Sequence, residues 1–183
     1  MPASLRTLLA FGTLLLIPAV ASAQFGGGSL RGTSIGVSYN SPSGDFTSLA
    51  KSGFGIAIRR GSGGEGEAWS FRSSISFDRF VGADSVDNVQ MITFGGDVVH
   101  QSRRWYQFAG FGLYNTTSTY KSTGAPTSEF LKTRKDQNFG VSGGIGSTFG
   151  SGEVKPFVEL AATLVWGATG NYTWYPLRAG LKF

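Results

Sequence analysis

Few residues in this 183-residue chain can do chemistry, and their types already narrow what that chemistry is. There is no cysteine, which excludes thiol nucleophiles, disulfides and thiolate metal sites. The single histidine, His100, excludes a metal cluster built of histidines. It opens the triplet His100-Gln101-Ser102, a base close to a hydroxyl, the pairing that ester cleavage requires. Asp84 and Asp87 are two nearby carboxylates, too few oxygens for a firm divalent-ion site. The glycine-rich stretches 61–66 and 143–148 lack the Lys-Ser/Thr of a phosphate loop, and neither leads into a helical pattern. Asn115-Thr116-Thr117 and Asn171-Tyr172-Thr173 fit a glycosylation sequon by chance composition. What remains is scattered charge, and its meaning depends on the elements that carry it.

Those elements read in twos. Trp69, Phe71, Ile75 and Phe77 share one face of a segment whose other face is Ser70, Arg72, Ser74, Ser76 and Asp78. That is the period of a strand, not of a helix. Phe54, Ile56 and Ile58 alternate with Gly53, Gly55, Ala57 and Arg59 in the same way. Further strands are predicted around 35–39, 89–101, 105–115, 139–149, 154–165 and 174–183, eight in all. Tight turns at 61–66, 102–104 and 150–153 alternate with longer connections at 40–52, 81–88 and 116–137 and a short closing one at 166–171. Turns on one side and loops on the other are the habit of an up-and-down barrel in an outer membrane.

Composition agrees with that reading. Glycine contributes 28 residues and aromatics 14%, while charged residues are only 15% against about 25% in ordinary globular chains. Residues 1–23 have a short basic start at Arg6, an apolar run from Leu8 to Val20 and Ala21-Ser22-Ala23 before Gln24. This is the layout of a cleaved secretory signal peptide, with the barrel domain expected over 24–183. The formal net charge is +5, part of which, Arg6, leaves with that segment. So modest a charge gives no support to nucleic-acid binding. In each strand the apolar face is bulky and the polar face is small. A narrow eight-stranded lumen filled by side chains takes a small face, so the bulky face is expected to meet lipid. Trp69, Phe77, Trp105, Phe139 and Phe149 are expected near strand ends, as interfacial girdles.

The chain resembles the small OmpA/OmpX-type outer-membrane β-barrels, the outer membrane protein beta-barrel domain group. Pro42-Ser43-Gly44-Asp45-Phe46 and Gly53-Phe54-Gly55 carry the resemblance early in the chain. Tyr106-Gln107-Phe108-Ala109-Gly110-Phe111-Gly112-Leu113-Tyr114 carries it in the middle. Pro156-Phe157-Val158-Glu159-Leu160 and Pro176-Leu177-Arg178-Ala179-Gly180-Leu181-Lys182-Phe183 carry it at the end. The resemblance implies an all-β, eight-stranded antiparallel transmembrane barrel in the bacterial outer membrane, with no cofactor. It implies a monomer that meets membrane lipid and lipopolysaccharide, and that offers the strand ending at Phe183 to the barrel assembly machinery. Because the chain stops at Phe183, no peptidoglycan-binding domain is expected to follow.

Within that frame the charges on the polar faces, Arg72, Asp78, Asp97, Glu159, Arg178 and Lys182, are expected to form a lumen network. Glu159 is expected near Arg178 or Arg72, because bare charges in a tight lumen are costly. Tyr106, Phe108, Gly110, Gly112 and Tyr114 are assigned to the lumen. The connection 116–137 brings together Tyr120, Lys121, Phe130, Lys132, Arg134 and Lys135 as a candidate surface-contact loop, suited to lipopolysaccharide phosphates or a neighbouring surface. A structural or surface-interaction role follows. A soluble periplasmic or secreted barrel holding a small apolar ligand is the alternative. A lipid-modifying barrel enzyme is the third reading: a lipid A deacylase uses a His-x-Ser-Asn arrangement, but here Arg103 stands in place of the Asn and His100 falls at the periplasmic end.

Overall fold

A computed structural model describes residues 32–62, 67–121, 133–167 and 170–183. The signal-peptide segment lies outside them, as do Phe130 and Lys132. The described residues form eight strands: β1 (Thr33–Ser43), β2 (Ala50–Gly61), β3 (Trp69–Gly82), β4 (Val86–Ser102), β5 (Trp105–Tyr120), β6 (Thr133–Thr148), β7 (Lys155–Gly167) and β8 (Gly170–Lys182). A short 3-10 helix (Gly44–Ser48) joins β1 to β2. Each strand pairs antiparallel with its sequence neighbour, and β1 pairs with β8 to close the barrel. Closure leaves no free sheet edge, the condition for a sheet to sit in hydrocarbon.

The alternation in the sequence becomes two walls. Phe54, Ile58, Phe71, Ile75, Phe94, Phe111, Leu160 and Leu177 all point outward and are exposed. The inward face of β3 is Ser70, Arg72, Ser74, Ser76 and Asp78, as its burial pattern shows. On β5, Tyr106, Phe108, Gly112 and Tyr114 are buried in the lumen, with Gly110 between them. Glycine makes room where the lumen is tightest. A Cβ on Gly55 would collide with the Asp78 carboxylate, and one on Gly146 would collide with the Tyr106 ring.

The strands outrun their sequence prediction at the end that carries the longer connections. The connection expected over 116–137 begins as five more residues of β5, through Tyr120, and closes as β6 from Thr133. The outward face explains this. It changes from Phe111 and Leu113 to Asn115, Thr117 and Thr119 on β5, and from Val141 and Phe139 to Gln137 and Lys135 on β6. Pairing continues while apolarity stops, so the hairpin stands beyond the apolar belt. The girdle prediction is corrected accordingly. Trp69, Trp105 and Phe149 do lie at strand ends, but Phe77 is mid-strand, paired with Ile56 and Ile92. Phe139 is seven residues into β6 and stacks on Trp166, centroids 5.9 Å apart, where the belt ends and the hairpin continues.

Candidate functional site

The lumen holds two seals of opposite chemistry. In the half nearer the tight turns, Glu159 on β7 is almost completely buried. Its Oε2 accepts from Arg59 Nη1 at 2.5 Å and its Oε1 accepts from Arg72 Nη1 at 2.6 Å. Tyr106 Oη donates to the same Oε1 at 3.0 Å. Arg178 Nη1 lies 3.7 Å from Oε2. Arg72 also reaches Asp97, through Nε at 3.0 Å and Nη2 at 2.9 Å, and its guanidinium lies 4.8 Å from the Phe108 ring centroid. The barrel brings these groups together from β2, β3, β4, β5, β7 and β8. Arg59 and Glu159 are 100 residues apart in sequence.

Of the lumen charges read from the sequence, Arg72, Asp97, Glu159 and Arg178 therefore converge. Asp78 sits apart, nearer the extracellular end. Its carboxylate accepts from Asn40 Nδ2 at 2.7 Å, Ser76 Oγ at 3.1 Å and Ser38 Oγ at 3.3 Å, all neutral donors. Lys182 lines a small cavity at the periplasmic mouth together with Arg72, Tyr106 and Glu159. Arg59 was missed, although it shares its face with Gly53, Gly55 and Ala57. That parity was the signal, masked by Arg60 beside it at a strand end.

In the other half the lumen is closed by rings. The 3-10 helix folds inward and buries Phe46 completely. Phe46 meets Phe80 edge-on at 5.0 Å and lies 5.1 Å from Tyr172 and 5.9 Å from Trp174, centroid to centroid. Val86, Val89, Met91, Tyr114 and Val165 complete the cluster, with Leu49 and Tyr120 against it. Nothing in the pattern of residues 40–52 marks this plug, since Phe46 stands alone among small and polar neighbours.

Above the plug, the extracellular mouth is a cup of about 230 Å³ lined by residues that include Asp45, Tyr120, Arg134, Asp136, Asn171 and Tyr172. This revises the candidate contact loop. Tyr120 points into the barrel and packs on the plug rather than outward. Arg134 Nε is held by Asp136 Oδ2 at 2.7 Å on the inner wall of the cup, and this bond raises the Arg134 pKa above its ordinary value. Lys121 Nζ donates to the Asp84 carbonyl at 2.7 Å. Lys135 alone of the described members of that set faces outward from a strand. His100 also faces outward, at the turn end, with its ring 4.5 Å from that of Trp69. No group of acidic or histidine side chains suited to a metal ion occurs among the described residues.

The facing of the walls decides the class of protein. A carrier of apolar ligands puts its large side chains inside. Here the outer wall carries them, with Trp69 at 63% and Trp105 at 61% exposure, a surface that water disfavours and lipid does not. The fold is that of the small outer-membrane β-barrels. Among solved structures, the N-terminal β-barrel domain of Pseudomonas aeruginosa OprF matches with a TM-score of 0.57 and 12% identity, over 84% of this chain and 98% of that one. Ail, the attachment invasion locus protein of Yersinia pestis, matches at 0.55 and 15%, over 84% and 99%. It matches again at 0.53 and 16% in its complex with the heparin analogue sucrose octasulfate, over 82% and 96%. Neisserial surface protein A matches at 0.51 and 15%, over 82% and 96%. The sequence matches no family model and no curated protein.

Proposed function

We propose that the protein is an outer-membrane barrel whose work is done at its extracellular surface, in a structural or interaction role, and not by passing solutes through its lumen. The observation that carries this is the double closure of the lumen, by the Glu159 cluster in one half and by the Phe46 plug in the other. A channel needs a continuous polar path, and an eight-stranded barrel leaves room only for filling side chains. Reaction chemistry finds no support: His100 faces outward with its ring tilted against Trp69, at the end away from the cup. The proposal includes cleavage of a signal peptide near Ala23, delivery through the terminal strand to the assembly machinery, and a monomeric state. At the extracellular ends Lys51, Arg79 and Lys135 are exposed on the outer wall, suited to phosphate groups of outer-leaflet lipopolysaccharide. Ail, which shares this fold, was solved with the heparin analogue sucrose octasulfate, a precedent for an anionic sugar against such a barrel. In planar bilayers the purified protein is expected to show no large, steady conductance. Such a conductance would overturn the reading.

A further inference from the structure

The cup at the extracellular mouth has the composition of a sugar site. It is a blind hollow, because the Phe46 plug forms its floor. Its volume of about 230 Å³ is below the roughly 300 Å³ at which pockets for drug-sized molecules begin, so it admits one ring rather than a long ligand. Tyr120 offers apolar ring surface, with the buried Tyr172 in the floor. Asp45, Asp136 and Arg134 offer acceptors and donors around it. A few fixed polar groups around aromatic surface suit a molecule that is apolar on its ring faces and hydroxylated at its edge.

Charge sets the ligand's sign. Among the described residues the cup has two carboxylates, Asp45 and Asp136, against one guanidinium, Arg134, which Asp136 already holds at 2.7 Å. A sulfated or phosphorylated sugar would bring further negative charge to that lining without a free partner for it. The basic residues that would welcome such groups, Lys51, Arg79 and Lys135, stand on the outer wall instead. We propose that the cup binds a single uncharged pyranose residue, with Asp45 and Asp136 holding its hydroxyls. The proposal rests on the surface role given above and names the ligand class of that surface. The ring comes from one of two sources: a core sugar of lipopolysaccharide in the same membrane, or a glycan from outside.

The test is a titration of the full chain in detergent micelles with glucose, galactose, mannose and N-acetylglucosamine, followed by amide NMR. At least one of these is expected to saturate at about 1 mM, typical of a single weakly held ring, with shifts centred on Asp45, Arg134 and Asp136. Glucose 6-sulfate is expected to bind more weakly. Asp45→Ala and Asp136→Ala alter an exposed and a half-buried side chain, and each is expected to weaken binding about tenfold with the remaining spectrum unchanged. Repeating the titration in nanodiscs separates the sources. If lipopolysaccharide with a hexose core blocks the free sugar and a hexose-free form does not, the ring is the membrane's own. If neither blocks it, the ligand comes from outside. No saturable shift with any neutral sugar, tighter binding of the sulfated one, or binding unaffected by both variants would overturn the proposal. A protein silent in bilayers that binds no sugar would lose the cup and keep the surface role. A conducting protein would lose the reading on which the cup rests.

Discussion

In the periplasmic half of the lumen three arginines converge on one buried carboxylate, while in the extracellular half aromatic rings do the sealing. The two halves have opposite tolerance. Rings of similar volume can replace one another at modest cost, because packing asks only for shape. The ionic cluster works only when every partner is present, because a partner removed leaves a charge stranded in a low-dielectric lumen. The contrast also explains the position of Asp78. With neutral donors from Ser38, Asn40 and Ser76, it belongs to neither seal and depends on hydrogen bonds alone.

The largest expected effect tests the ionic half. Glu159→Leu leaves Arg59 and Arg72 without their shared partner, and is expected to cost about 3–5 kcal/mol in urea unfolding from micelles. A loss as small as that of an ordinary surface change would erase the distinction between the halves. Phe46→Ala comes next, at about 3 kcal/mol from the cavity it opens. It should still conduct nothing in a planar bilayer, since the ionic seal remains; steady current from this variant would show that the plug alone closes the lumen. Asp78→Asn keeps one acceptor oxygen for three donors and should cost about 1–2 kcal/mol, read by the same unfolding assay. The smallest change belongs to the cup. Arg134→Ala breaks a half-exposed pair and is expected to move the urea midpoint no more than an ordinary surface change does. A larger shift would tie the cup to the fold itself.

How much of this was legible depended on contrast between faces. On β3, Trp69 to Asp78 alternates bulky apolar with small polar residues, and the sequence alone located the strand and its facing. From Asn115 to Thr119 both faces of β5 are Asn, Thr and Ser, so the strand continues with nothing to mark it. The convergence of Arg72 and Glu159 could be expected from burial and charge, but Arg59 needed the parity of its strand followed to the end. Phe46 was illegible for another reason. It is one apolar residue among Ser43, Gly44, Asp45, Thr47 and Ser48, and only the inward fold of the 3-10 helix gives it a role.

The span between Arg59 and Glu159 has a consequence for how the barrel is made. Glu159 lies on the seventh strand, while two of its partners lie on the second and third. Before the seventh strand arrives, the lumen carboxylates of the first four strands are Asp97 and, nearer the extracellular end, Asp78. Neutralisation is completed only as the last strands return to the first, so closure of the ring and pairing of its charges are one late, long-range event. A nascent chain halted before the seventh strand would hold an open sheet whose arginines lack their shared carboxylate and whose edges hydrocarbon rejects, which makes the final strands the checkpoint of assembly as well as its end.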